Sequence, residues 1–250
     1  MYNTTSSSVS GQTLTVVHRR INAPYSKGST YTLNFYQIRA PPSTMTSNTI
    51  TVKIIRNGFD KMVGYQTIRA VASTLTGGTV AATLTTVNKV TSYRINVTTT
   101  DALLSSGMVM IVFPSTVIPT LSTGCATLIG ISVTTNPTCT FNSATNTITI
   151  TSMNSSSSNI PAQTLRFTIL SVQNPPSVNP SGTFTVSTYY TNDQNYLVAQ
   201  GTISGVTATL DVINPSTVYV VPSSYIVSDT LVTYTVNFVN GNAIGQSGYA

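Results

Sequence analysis

The sequence predicts an all-β protein built from tandem immunoglobulin-like antiparallel β-sandwiches. Apolar and polar residues alternate with a period of two in several short segments, which places one set on the core face of a strand and the other in solvent. Clusters of Pro, Gly, Asn and Ser separate these segments. No long segment has the apolar period of a capped helix. Strands joined by turns are therefore favoured throughout.

Individual segments justify this fold class in chain order. The alternation is clearest in residues 31–35, 48–54, 93–98 and 234–238. Residues 108–113 form instead a continuous apolar run that ends at Pro114, a pattern typical of a central sandwich strand. Six residues are too few to cross a bilayer, so no membrane span is predicted.

The second half of the chain repeats the first half out of phase. The recurring motifs are Thr32-Leu33-Asn34-Phe35 with Thr164-Leu165-Arg166-Phe167, Ala40-Pro41-Pro42-Ser43 with Asn174-Pro175-Pro176-Ser177, Thr49-Ile50-Thr51-Val52 with Thr183-Phe184-Thr185-Val186, and residues 79–84 with 205–210. A further echo links residues 90–97 to 231–238. The predicted order is a flexible segment (1–11), an incomplete back-half module (12–87), a complete module with a cysteine pair (88–213) and the front strands of a next module (214–250).

Half of a sandwich leaves strand edges unpaired and an apolar face uncovered. The C-terminal front strands are the part that the N-terminal back half lacks, so segment 214–250 is a predicted donor that completes a neighbouring copy. The candidate interface residues are Val232, Tyr234, Val236 and Phe238. A head-to-tail contact of this kind extends into a filament unless its rotation closes a ring, and strand addition supplies main-chain hydrogen bonds.

Composition indicates an extracellular or cell-surface structural protein. Ser and Thr make up roughly a third of the residues, and charged residues are 6%, against about 25% in an ordinary soluble domain. With 40% hydrophobic residues over 250 positions, the chain is long enough to bury cores of sandwich size.

Charge is unevenly distributed. Ten of the eleven Lys and Arg residues precede residue 95, with Asp60 as the single acid there, so that part carries +9 and the remainder −3. Opposite signs would favour head-to-tail encounter. A basic module could also hold acidic glycans, whereas no nucleic-acid-binding motif is present and no nucleic-acid partner is expected.

Groups that carry catalysis are scarce. The chain has no Glu, its five Asp residues are spread singly, and the sole histidine, His18, lies beside Arg19 and Arg20. This pattern predicts a non-enzyme without catalytic residues, cofactor or metal site.

Two kinds of covalent modification are predicted. Cys125 and Cys139 are the only cysteines, and a pair in a Thr-rich β protein favours a disulfide, with two buried thiols as the alternative. The sequons at Asn3, Asn96 and Asn154 are candidate N-glycosylation sites, of which Asn154 lies in a serine-rich loop and is best placed.

Several motifs of the complete module together suggest a family. They are Tyr93-Arg94-Ile95-Asn96-Val97, Ser106-Gly107, Met110-Ile111-Val112-Phe113-Pro114, Cys125, Cys139-Thr140, Thr147-Ile148-Thr149-Ile150, Leu165-Arg166-Phe167 and Asn174-Pro175-Pro176. This set resembles the Cys-pair β-sandwich modules repeated in secreted and surface proteins of ciliates and other protists, although the N-terminal half lacks the cysteine pair. The resemblance implies an extracellular, glycosylated, structural or adhesive role, and the plan also resembles subunits of extracellular filaments.

The expected function is therefore a structural subunit of an extracellular filament, which polymerises head-to-tail by β-strand complementation with copies of itself. The alternative is a fragment of a tandem-repeat cell-surface adhesin or glycan-binding protein. Sequence periodicity alone does not separate the two.

Overall fold

The computed structural model is almost entirely β-structure, which confirms the predicted all-β class. It describes residues 4–19, 39–56, 58–120, 126–129, 137–153, 159–213, 215–239 and 241, with the single positions 28, 30, 32, 34 and 36. In these residues the helical elements are two three-residue 3₁₀ helices, Gln194–Tyr196 and Pro215–Thr217. The chain divides into two compact units, Met1–Arg39 and Ala40–Ala250.

The first unit contains an antiparallel hairpin of β1 (Thr4–Ser10) and β2 (Thr13–Arg19). Gly11 begins the two-residue turn with a φ of +57°, a conformation that glycine adopts without steric cost. Segment 1–11, expected to be flexible, thus includes a strand. Ser and Thr are tolerated in a strand when a partner supplies the ladder hydrogen bonds.

The second unit holds the other strands that the structure describes. Their bounds are β3 (Ile50–Arg56), β4 (Phe59–Gln66), β5 (Ser73–Thr74), β6 (Thr76–Ala82), β7 (Val90–Thr98), β8 (Met108–Val112), β9 (Ile118–Pro119), β10 (Ala126–Ile129), β11 (Thr138–Asn142), β12 (Thr147–Thr151), β13 (Thr164–Gln173), β14 (Phe184–Tyr189), β15 (Leu197–Ile203), β16 (Tyr219–Pro222) and β17 (Tyr234–Asn237).

Strands β5 to β15 form two sheets that pack into a sandwich. One sheet has the order β10-β13-β7-β6, with β9 also paired to β13, and the other has the order β11-β12-β8-β14-β15-β5. The short strand β5 runs parallel to β15, and the other strand pairs of the sandwich are antiparallel. The sandwich occupies the predicted module 88–213 and also includes two strands from the preceding stretch: β6, which pairs with β7, and β5, which pairs with β15.

Alternation along the central strands builds the core. Tyr93, Ile95 and Val97 of β7 are buried from the inner face of one sheet, and Phe184 and Val186 of β14 are buried from the other. Each such side chain contributes about 1.5–3 kcal/mol on removal from water. The apolar run predicted to be a central strand is β8, which lies between β12 and β14.

A buried hydrogen-bond network closes one end of this core. The Tyr93 hydroxyl donates to Asn174 Oδ1 at 2.8 Å, and Asn174 Nδ2 donates to the carbonyl oxygens of Leu84 and Thr86, each at 2.7 Å. The network ties β7 to the Asn-Pro-Pro turn after β13 and to the connection before β7. Burial raises the pKa of Tyr93 from 10.0 to about 12.

Alkaline pH is expected to destabilise the sandwich through Tyr93. The unfolded chain releases the phenol proton near its ordinary pKa of 10.0, whereas the folded chain holds it up to about 12. Stability from this group is therefore intact below pH 10.0 and is lost as the pH rises towards 12, at up to about 1.4 kcal/mol per pH unit. Urea unfolding across this range measures the slope. Tyr93→Phe should flatten it, while Tyr225→Phe, whose ring is exposed, should leave it unchanged; equal slopes in all three proteins would contradict the assignment.

Candidate subunit interface

Two hairpins of the second unit lie apart from the sandwich sheets. We name β3–β4 (residues 50–66) the head hairpin and β16–β17 (residues 219–237) the tail hairpin. Among the described residues each forms a two-stranded sheet of its own. A two-stranded hairpin alone in water is marginally stable and gains stability from a third strand or a covering sheet.

Both hairpins expose large apolar side chains. Those on the strands of the head hairpin are Ile50, Val52, Ile54, Ile55, Phe59, Met62, Val63 and Tyr65. Those on the strands of the tail hairpin are Tyr219, Val220, Val221, Tyr234 and Val236, with Tyr225, Ile226, Val227 and Leu231 in its connecting loop and Phe238 and Val239 just after it. The predicted interface residues Tyr234, Val236 and Phe238 are 65%, 57% and 51% exposed, and Val232 is half-buried. Contiguous apolar surface of this kind marks a protein-docking surface or an aggregation risk.

The tail hairpin reproduces the β6–β7 pair of the sandwich in the same register. The β6–β7 pairs are Thr79 with Asn96, Val80 with Ile95, Ala81 with Arg94 and Ala82 with Tyr93. The β16–β17 pairs are, in the same order, Tyr219 with Asn237, Val220 with Val236, Val221 with Thr235 and Pro222 with Tyr234. Tyr234, Val236 and Phe238 thus occupy the positions of Tyr93, Ile95 and Val97, which are buried in the sandwich.

The head hairpin reproduces the β14–β15 pair equally closely. The β14–β15 pairs begin Phe184 with Ile203, Thr185 with Thr202, Val186 with Gly201, Ser187 with Gln200 and Thr188 with Ala199. The β3–β4 pairs are, in the same order, Ile50 with Gln66, Thr51 with Tyr65, Val52 with Gly64, Lys53 with Val63 and Ile54 with Met62. A register irregularity follows the fifth pair in both hairpins. A shared bulge position is a specific feature of a β-ladder.

In the complete sandwich the two copied strand pairs, β6–β7 and β14–β15, pack face to face. The rings of Tyr93 on β7 and Phe184 on β14 have centroids 6.2 Å apart, and Phe113 packs edge-on against Phe184 at 5.2 Å. The head and tail hairpins therefore copy, in exposed form, two strand pairs that face each other in the core of the sandwich.

A glycine marks the uncovered side of the head hairpin. A Cβ on Gly201 of β15 would lie 2.9 Å from the Cβ of Leu75, which crosses over that position in the sandwich. Its counterpart Gly64 has no atom within 4 Å of such a Cβ. The same small residue is present, but the neighbour that requires it is not in place among the described residues.

The tail hairpin also borders an open cleft. The cleft has a volume of about 350 Å³ and is lined by Thr217, Tyr219, Val236, Asn237, Phe238 and Val239. Two of the residues that copy the sandwich core, Val236 and Phe238, thus line a groove that is open to solvent.

The two hairpins differ in charge. The head hairpin carries Lys53, Arg56 and Lys61 against Asp60, whereas residues 211–239 contain Asp211 and Asp229 and no Lys or Arg. Lys53 Nζ lies 3.0 Å from Asp60 Oδ2, and this hydrogen bond raises the pKa of Lys53. Both partners are about half exposed, so the ion pair adds little stability.

One cysteine of the predicted pair lies in the described part of the chain. Cys139 is disulfide-bonded, and Cys125, the other cysteine of the chain, lies outside the described residues. The pair Cys125–Cys139 stays a prediction.

Peptide mapping under non-reducing conditions should recover the two cysteine peptides linked, and thiol labelling of both residues in unreduced protein would contradict the bond.

Of the three sequons, one lies in the described part of the chain. Asn96 lies half-buried on β7, its Nδ2 donates to Thr79 Oγ1 at 2.9 Å, and Thr98 Oγ1 is 3.0 Å from Thr164 Oγ1. Asn3 and Asn154 lie outside the described residues. Because the Asn96 amide is engaged on the sheet, intact-glycopeptide mass spectrometry of eukaryotic material should find Asn154 more occupied than Asn96; the reverse order would contradict this.

Metal-ligating side chains do not cluster in the described part of the chain. The described residues contain no group of three or more His, Cys, Asp or Glu side chains that could hold a metal ion. His18 pairs with Thr5 in the first hairpin. No helix in the described parts of the chain is long and apolar enough to cross a membrane.

The sequence predicts interface residues in the tail hairpin, whereas the head hairpin lies in the predicted receiving module 12–87 without interface residues named in it. The signal that could have named them is the echo of Thr183-Phe184-Thr185-Val186 in Thr49-Ile50-Thr51-Val52. Because Phe184 and Val186 are core residues, their counterparts Ile50 and Val52 were candidates for the same interface.

Comparisons with known proteins give structural likenesses alone. No protein-family model and no curated protein matches the sequence. The bacterial hydrophobin BslA matches with a TM-score of 0.32 and 15% identity over 55% of this chain and 98% of its own. The RrgA Jo.In complex matches with a TM-score of 0.32 and 10% identity over 69% of this chain and 100% of its own, and the third ScaB cohesin of R. flavefaciens, in complex with a group 1 dockerin, with 0.29 and 15% over 52% and 89%. TM-scores of this size assign no function.

Proposed function

We propose that this protein is a structural, non-enzymatic subunit of an extracellular filament. Successive copies join head-to-tail, the tail hairpin of one copy completing the incomplete module that contains the head hairpin of the next. The partner is thus another copy of the same chain, and acidic glycans are further candidate partners for the basic N-terminal part.

One observation carries this proposal. The two exposed hairpins copy two strand pairs that face each other across the core of the complete sandwich. Placing β17 over β3, as β7 lies over β14, would cover Tyr234, Val236 and Phe238 with Ile50, Val52 and Ile54. A sandwich built this way would contain parts of two chains.

Burial at such a joint would be substantial. Each large apolar side chain removed from water contributes about 1.5–3 kcal/mol. The rigid-body and ordering costs of association offset part of this gain. A joint that repeats an intact core over several side chains is therefore expected to dissociate slowly.

Charge would favour the same polarity of assembly. The head hairpin is basic and the segment around the tail hairpin is acidic. Attraction between unlike ends raises the rate of productive encounter, and repulsion between like ends disfavours head-to-head contact.

Negative-stain microscopy of native material tests the proposal. Regular unbranched fibres with an axial repeat near two domain lengths are the expected result. Dispersed particles or flexible strings of uneven length would contradict the filament and favour the alternative, a tandem-repeat adhesin in which neighbouring repeats of one chain complete each module.

A further inference from the structure

The free edge of β17 corresponds to an edge that is occupied in the sandwich. β7 has β6 on one side and β13 on the other, whereas β17 has β16 on one side and, among the described residues, no strand on the other. The strand β13 pairs with β7 by Leu165 with Val97, Arg166 with Asn96 and Phe167 with Ile95.

The chain carries a second version of the β13 motif. Thr164-Leu165-Arg166-Phe167 of β13 recurs as Thr32-Leu33-Asn34-Phe35. Thr32, Asn34 and Tyr36 are exposed and belong to no strand, and Leu33 and Phe35 lie outside the described residues. A segment whose sequence alternates apolar and polar residues is suited to adding as a strand to an open sheet edge.

We propose that segment 32–35 of a second copy adds antiparallel to the free edge of β17, with Asn34 opposite Asn237, Leu33 opposite Phe238 and Phe35 opposite Val236. This inference rests on the proposed function and assigns its register. Leu33 and Phe35 then take the positions of Leu165 and Phe167, which are fully buried in the sandwich. Asn34 takes the position of Arg166 on the outer face.

The register follows from the side-chain alternation. A shift by one residue would turn Leu33 and Phe35 to the outer face and bring polar side chains into the core, so it is disfavoured wherever one face is buried. A shift by two residues preserves the faces but moves Phe35 off its Val236 position. The experiment must therefore distinguish the assigned register from a register shifted by two residues.

Cysteine cross-linking between separately prepared single variants distinguishes these registers. Side chains directly opposite in an antiparallel pair lie close enough for a disulfide, whereas diagonal neighbours about 7–8 Å apart do not. Asn34→Cys mixed with Asn237→Cys under mild oxidation should give a covalent dimer on a non-reducing gel, at least about tenfold more than Asn34→Cys mixed with Thr235→Cys or Val239→Cys. Because each chain carries one added cysteine of the pair, a link between positions 34 and 237 can form only between copies.

Each outcome bears on the proposal separately from the filament itself. A dimer from a shifted pair, or a link that forms only when both substitutions are in one chain, overturns the assigned register or the second copy. Filaments without any cross-link overturn the inference and leave the proposed function standing, whereas absence of filaments from unmodified protein removes the proposed function.

Hydrogen exchange on unmodified protein is the second measurement. Peptides spanning residues 234–239 should exchange at least about tenfold more slowly in filaments than in monomers, and equal exchange would contradict strand addition at this edge.

Discussion

Deletion of residues 216–250 is expected to abolish filament formation and leave a folded, soluble monomer. The buried apolar residues of the described chain run from Leu75 to Ala208, so the deletion removes none of them. It removes the whole tail hairpin, which supplies the Tyr234, Val236 and Phe238 face of the proposed joint. The expected change is therefore complete loss of fibres by microscopy, with sandwich unfolding shifted by less than about 1 kcal/mol.

An add-back experiment separates loss of the donor from general damage. A peptide of residues 216–250 added to the truncated protein should raise the stability of the incomplete N-terminal module, because binding to the folded state alone stabilises it by mass action. A scrambled peptide of the same composition is the matched control. Filaments formed by the truncated protein would show that the tail hairpin is dispensable and would refute the head-to-tail joint.

The sequence predicts this fold well where a local pattern is decisive. Period-two alternation marked Tyr93, Ile95 and Val97 as one face of a strand, and that face is buried. The apolar run 108–113 marked a strand inside a sheet, and β8 has a partner on each side. In both cases the pattern and the burial have one cause, since each side chain of a strand faces one side of its sheet.

What the sequence left open depends on contacts between distant segments. The sandwich includes β5 and β6, which precede residue 88, and the local sequence of β6 (Thr76–Ala82) does not determine which strand β6 pairs with. The Tyr93–Asn174 hydrogen bond joins residues 81 positions apart, so no local sequence motif predicts it. The sequence does not identify Ile50 and Val52 of the head hairpin as interface residues, because alternating apolar residues in a strand are equally typical of an ordinary core; in the structure both are exposed.

Val236→Asp on the tail hairpin is expected to leave the monomer folded, whereas the equivalent substitution in the sandwich, Ile95→Asp, is expected to prevent folding. Val236 and Ile95 occupy the same position in the copied hairpins, but Val236 is 57% exposed and Ile95 is 0% exposed. Ile95→Asp places an unpaired carboxylate in the core, which costs several kcal/mol, comparable to the total stability of a domain. It should prevent folding. Val236→Asp should change monomer stability by less than about 0.5 kcal/mol.

In the filament Val236→Asp should no longer be tolerated, because the proposed joint buries Val236 as the sandwich buries Ile95. An unpaired charge at the joint should raise the protein concentration needed for filament formation by about 100-fold or more, since each 1.4 kcal/mol is a factor of ten in affinity. Thr235→Asp, on the opposite face of β17, introduces the same charge and should assemble normally. Light scattering against concentration and thermal unfolding of the three variants provide the measurements. If Val236→Asp destabilises the monomer as Ile95→Asp does, the tail hairpin is already covered within its own subunit, and if it assembles like Thr235→Asp, this face is not part of the joint.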